Sequence, residues 1–182
     1  MDLKDAREPI DWTGLPFGEL IDHIVDTHHA YLVKELPDIK RYLQTIDNVH
    51  GGNHPELAKI RRRFTYMMDE LLLHLPKEEM DLFPFIRRLD EGASADEVRK
   101  CMMMVDALEA EHDGSMRAML DIRRLTSDYT LPEEACPTYM MAYQKLQELE
   151  RDLKQHIQLE DSILFPRAVE VLSHGIDGKS GE

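Results

Sequence analysis

The chain is poor in cysteine, in aromatic residues and in positive charge. Cys101 and Cys136 stand far apart and form no CxxC pair. That argues against a disulfide scaffold and for a reducing, cytoplasmic setting. Lys and Arg number 22 against 36 Asp and Glu, a net charge of -14. Such a surface repels nucleic acid and anionic membranes, so neither is an expected partner. No stretch approaches the ~20 apolar residues of a membrane-spanning helix. The opening residues, Met1 to Glu8, contain no apolar signal-peptide core. Aromatics make up only 7% of a chain of 182 residues that is 42% hydrophobic. What remains is an acidic, all-α protein with enough apolar residues for one sizeable core.

No segment alternates with a strand period, whereas helical periodicity recurs four times. Residues 1–16 read as an extended lead-in, broken by Pro9, Gly14 and Pro16. A first helix is expected from Phe17 to about Val49, with Leu20, Ile21, Ile24, Leu32, Leu36, Ile39 and Leu43 on one face. Pro37 falls inside it, where a kink is expected. The turn cluster His50-Gly51-Gly52-Asn53-His54 leads to a second helix from Pro55 through Phe83. A break at Glu91 to Ser94 precedes a third helix ending near Leu125. The fourth starts near Pro137 and runs to about Leu172, leaving 173–182 as a flexible tail. Short connections between four long helices predict an up-down-up-down four-helix bundle over residues 17–172. The Met-rich positions 67, 68, 102–104, 140 and 141 are read as core filling rather than a soft-metal site.

One pattern occurs twice. His29 is followed by His74 and Glu78 within H-L-P-K-E-E-M-D-L-F-P, and His112 by His156 and Glu160 within H-I-Q-L-E-D-S-I-L-F-P. The HxxxE boxes are offset by 82 residues and the lone histidines by 83, as a duplicated helical hairpin would give. Residues four apart share a helix face, so each box aims an imidazole and a carboxylate at one point. Leu71, Leu75 and Leu82 flank the first box, and Leu153, Ile157 and Leu164 the second. Both boxes therefore face the core, where a bare carboxylate is costly and a metal ion would compensate it.

Four imidazoles, two carboxylates and no thiolate suit a divalent first-row ion, with iron, manganese and zinc all open. Two carboxylates can bridge two metals while two histidines complete each, leaving room for an oxo or hydroxo bridge and an exogenous ligand. Di-iron oxygenase bundles use more carboxylates and Glu-x-x-His spacing. The nitrogen-rich set here fits binding or redox exchange with small diatomics better than oxygenase chemistry, so the expectation leans to a metal-binding protein, with redox chemistry on NO or peroxide left open.

His50 lies 21 residues after His29, ~31 Å along a continuous helix. It is read as a helix C-terminal cation or turn residue, outside the ligand set. His23, His28, His54 and His174 are also read as non-ligands. Glu70 and Asp152, four residues before the boxes, and Glu111, before His112, suit either a solvated face or partners that orient imidazoles.

These residues resemble the hemerythrin-like (HHE cation-binding) domain, most closely the di-iron domain of the repair-of-iron-centres proteins. The resemblance covers roughly residues 18–170. It rests on His29 with Glu35-Leu36-Pro37, Val49-His50, His74 with Glu78-Glu79 and Leu82-Phe83-Pro84, Glu111-His112, Pro132-Glu133-Glu134-Ala135-Cys136, and His156 with Glu160 and Leu164-Phe165-Pro166-Arg167-Ala168. It implies a bundle with two carboxylate-bridged irons on His29, His74, Glu78, His112, His156 and Glu160. It also implies a role in nitrosative or oxidative stress, by repair of iron–sulfur clusters through iron donation or by NO processing. The implied partners are O2 or NO as small ligands and damaged iron–sulfur proteins, with the chain a monomer or homodimer. Reversible O2 or NO binding or sensing, and a metal-storage or purely structural bundle, are the alternatives. The family motif includes the histidine matching His50. The chain departs from the pattern in two respects. About 17 residues, none of them Cys, precede the first helix, where these proteins usually carry a cysteine-containing domain. Pro76 falls within the first HxxxE, where it removes the hydrogen bond to the Leu72 carbonyl and is expected to alter the His74–Glu78 geometry.

Overall fold

The computed structural model describes residues 10–89 and 94–177, with side chains through Ser173. Among them there are four long helices and no strand. Helix α1 covers residues 17–50 and joins Phe17–His23, a π-helical turn at Ile24–His29, and Ala30–His50. Helix α2 covers 56–87 and joins Glu56–Lys77, a π turn at Glu78–Leu82, and Phe83–Arg87. Helix α3 is Ala95–Leu125, regular throughout. Helix α4 covers 137–177 and joins Pro137–Leu159, a π turn at Glu160–Leu164, and Phe165–Asp177. Consecutive helices pack side by side and α1 closes against α4, giving the expected up-down-up-down bundle.

Local chemistry sets the helix ends. Pro16 immediately precedes α1. Ser94 caps α3 through a capping box with Glu97, each satisfying a free donor of the other's backbone. Pro137 opens α4, where its missing N–H costs nothing. The turn after α3 places Ser127, Asp128 and Tyr129 at φ of 49°, 57° and 59°, a left-handed run that L-residues rarely adopt. Two tethers hold it: the Tyr129 amide donates to Thr126 Oγ1, and its hydroxyl donates to Glu150.

Helix α1 passes through Pro37 without interruption. Pro37 is exposed, as is Val33, whose carbonyl loses its donor, so water can serve that carbonyl. Helix α4 runs on to Asp177, beyond the expected end at Leu172. Gly175 lies inside it, at a cost of only about 1 kcal/mol. The first part of the lead-in (1–9), the break at 90–93 and the tail at 178–182 lie outside the described residues.

The core has two apolar blocks. One, around Leu36, Leu43, Phe64, Leu71, Leu146 and Leu149, fills the half of the bundle at the α1–α2 turn. The other, around Leu20, Ile24, Phe83, Ile86, Leu108 and Phe165, fills the opposite half. Between them lies one buried polar layer containing His28, His29, His74, Glu78, His112, His156 and Glu160. Phe64 is fully buried in the first block. Phe64→Ala should lower the unfolding free energy by about 3–5 kcal/mol, measurable by urea denaturation, with the helical signal of the folded baseline retained.

Candidate metal centre

Three of the four helices reach the polar layer through a π turn. In these turns the backbone hydrogen bond spans five residues: Ala30 N–H to Val25 O, Phe83 N–H to Glu78 O, and Phe165 N–H to Glu160 O. In α2 and α4 a proline follows at once, Pro84 and Pro166, where the ladder returns to four-residue spacing and a donor is dispensable. The turns in α2 and α4 match residue for residue although only α2 carries a proline within its HxxxE. Pro76 is therefore not their cause. The His74 Nε2–Glu78 distance is 3.1 Å and the His156 Nε2–Glu160 distance 3.0 Å, so the expected distortion by Pro76 is absent.

All six residues singled out in the sequence meet in this layer. They form two groups, His29–His156 and His74–His112, each with Glu78 and Glu160. The Nε2 atoms of each histidine pair stand 3.1 and 3.0 Å apart. The carboxylates reach both groups through separate oxygens. Glu78 Oε2 lies 3.4 Å from His29 and its Oε1 3.1 Å from His74. Glu160 Oε1 lies 3.0 Å from His156 and its Oε2 3.2 Å from His112.

Glu78 and Glu160 are both 0% exposed, and none of their four oxygens accepts a hydrogen bond among the described residues. Buried polar atoms are almost always paired, so four bare oxygens facing four Nε2 atoms mark missing positive charge. Donors about 2.1 Å from a common ion stand roughly 3.0–3.4 Å from each other. The spacing within each group is that of donors around a metal ion.

Protonation supplies the charge where no metal does. Burial lowers the basicity of His29, but Glu160 and Glu78 outweigh it and raise its pKa to about 10. His112 rises against the same burial penalty to about 12, through Asp161, Glu160 and Glu78. His74 also rises, with Glu78 overcoming burial. Desolvation pushes Glu160 up, yet His156, His112 and His29 hold it well below the carboxylate range.

Outer carboxylates orient three of the imidazoles. Nδ1 of His29 donates to Glu79 at 2.8 Å, that of His74 to Glu111 at 2.8 Å, and that of His112 to Asp161 at 2.7 Å. Of the three acids that sequence reasoning proposed for this role, only Glu111 fills it. Glu70 is exposed on a cleft wall, and Asp152 binds His28. Glu79 and Asp161 were missed, though an acid directly after each HxxxE box was a visible signal. The remaining histidines lie outside both groups. His23 stacks on Trp12, and His28, though buried, stacks on His156. His54 sits between Glu56 and Glu134. His50 ends α1 with its Nε2 3.2 Å from Cys136 Sγ. The side chain of His174 is outside the described residues.

Residues 20–168 match the sequence profile of the family described as Hemerythrin HHE cation binding domain. Over 168 residues the chain is 36% identical to "Iron-sulfur cluster repair protein YtfE" of Escherichia coli O157:H7, covering 91% of this chain and 73% of that protein. The protein of the same name from Escherichia coli O81 (strain ED1a) is also 36% identical, and that of Escherichia fergusonii 35%, over the same extents. No helix among the described residues is long and apolar enough to cross a membrane.

A group whose pKa is raised on folding stabilises fully below its unfolded value, and that contribution is lost as pH rises through the folded one. With His29 at about 10, the metal-free protein should lose thermal stability between pH 7 and 10. A metal ion replaces those protons, so the Zn2+-loaded protein should show a flatter profile. Melting curves of both forms across this range check it. For the same reason Zn2+ uptake at pH 7 should release protons and weaken as pH falls, seen by calorimetry in buffers of different ionisation enthalpy.

Proposed function

This chain belongs to the hemerythrin HHE cation-binding family, and from that premise we propose that it is a non-haem di-iron protein that serves iron–sulfur clusters damaged by nitrosative or oxidative chemistry. The metal set is two iron ions bridged by Glu78 and Glu160 with an oxo or hydroxo bridge, one ion on His29 and His156 and the other on His74 and His112. The observation that carries this reading is the four carboxylate oxygens that are buried without a hydrogen bond and divided between two histidine pairs. Similarity to relatives named as iron–sulfur cluster repair proteins supplies the process. Two free thiols, Cys101 and Cys136, suit a cytoplasmic site of action.

When bound, the iron pair supplies exchangeable ferrous ions and one-electron chemistry with NO or peroxide. The protein's own residues do the rest. Glu78 and Glu160 neutralise two of the four formal positive charges that two divalent ions would bring. Glu79, Glu111 and Asp161 keep a proton on Nδ1 of their histidines and leave Nε2 free to ligate. Lys77, ion-paired to Glu111, ties one of these acids to solvent.

A second reading, reversible binding of O2 or NO, is favoured by a cleft of about 380 Å³ between α2 and α3 that reaches His74 and Glu111. Gly114 lines it and faces open space, with no atom within 4 Å of the place where a Cβ would sit. The residue 83 positions earlier, matching Gly114 in the other half, is Tyr31.

Anaerobically purified protein grown with iron should contain about two irons per chain. Glu78→Ala and Glu160→Ala should each lose metal, since each removes a bridge to both ions, and unchanged metal content in both would sink the two-metal reading. His50→Ala should keep about two. Transfer of the iron to an apo iron–sulfur protein would support repair, whereas a stable, reversible oxygenated spectrum without transfer would favour the binding module.

A further inference from the structure

The pseudo-twofold relation of α1 to α3 and α2 to α4 breaks at the residue before each lone histidine. Glu111 precedes His112 and accepts from Nδ1 of His74 at 2.8 Å. In the other half the residue preceding His29 is His28. Its Nδ1 is held by Asp152 Oδ1 at 2.9 Å, and its ring lies parallel to that of His156 with centroids 5.6 Å apart. Nδ1 of His156 is thus buried with no hydrogen-bond partner among the described residues. It is the only one of the four histidines in this condition there.

A neutral imidazole that ligates through Nε2 carries its proton on Nδ1. An ion on His74 and His112 leaves both Nδ1–H groups donating to carboxylates. An ion on His29 and His156 leaves one buried N–H without an acceptor, an unfavourable arrangement. Loss of an outer partner of this kind typically weakens metal affinity about 10–100-fold.

We infer that the two metal positions are unequal, that the ion on His29 and His156 is the weakly held one, and that His28, standing where symmetry calls for a carboxylate, makes it so. This rests on the two-metal reading of the site and deepens it: the ion on His29 and His156 is the one the protein gives up, while the ion on His74 and His112 stays.

The test uses metal-free full-length protein, Zn2+ as the probe and 15N NMR of the imidazoles, with a chelator competing for the metal. At one equivalent, Zn2+ should occupy His74 and His112 and leave His29 and His156 free, and the second ion should bind about 10–100-fold more weakly. His28→Glu places a carboxylate at the position matching Glu111 and should tighten the second ion about tenfold or more. Glu111→Ala should remove the preference by giving His74 the same unpartnered Nδ1. If His28→Glu does not fold, Glu111→Ala carries the comparison. Two ions bound without preference, or a first ion on His29 and His156, overturns this inference alone, as does an affinity gap unchanged by the substitutions. No Zn2+ on these histidines overturns the two-metal reading and this inference with it.

Discussion

Glu78 and Glu160 lie at mid-height in the bundle, with no exposure and no hydrogen-bond donor on any of their four oxygens. Leaving two such anions bare would cost more than the small net stability of a domain this size can absorb. Everything around them answers to that constraint. Four imidazoles close in at 3.0–3.7 Å, acids behind them hold the rings in place, and the apolar core parts into two blocks to make room. The protein has two ways to meet the constraint, by protons on the imidazoles or by metal ions between imidazole and carboxylate. The same layer is therefore a structural necessity as well as a donor set suited to metal ions.

Much of this was legible in the sequence, and the reasons are specific. Two HxxxE boxes at an 82-residue offset fix which helix faces meet, because a duplicated hairpin carries its inward face with it. His50 was separable from the ligand set by helical rise alone, and it sits against Cys136 at the α1–α2 turn. The π turns were not legible. Helical periodicity over 78–82 or 160–164 reads the same whether the ladder spans four residues or five. That blind spot also hid Glu79 and Asp161. On a regular helix an acid one residue past Glu78 or Glu160 points well away from the site, so attention fell on Glu70 and Asp152, which a four-residue rule favours. His28 was read as a non-ligand. It does lie outside the donor groups, but it is buried against His156 rather than turned to solvent.

The departures from twofold symmetry matter as much as the symmetry. Gly114 against Tyr31, and Glu111 against His28, both fall on the helices that supply the lone histidines. The first pair places Gly114 on the wall of the cleft that reaches His74 and sets Tyr31 at the matching position of the other half. The second distributes outer carboxylates unequally between the two histidine pairs. One half of a duplicated scaffold is thus shaped for approach from outside, and the other is framed less firmly.

A π turn holds one residue more than the α turn it replaces. At 78–82 and 160–164 that surplus is absorbed within the turn, and Phe83 and Phe165 still reach the core. A version of each helix one residue shorter at this point would be straight and would keep its apolar face. It would lose the placement of two successive acids, one toward the metal groups and one behind a neighbouring histidine. The bundle and its buried polar layer are thus written in nearly separate parts of the chain: most residues build the scaffold, and a surplus residue in each of three helices shapes the layer.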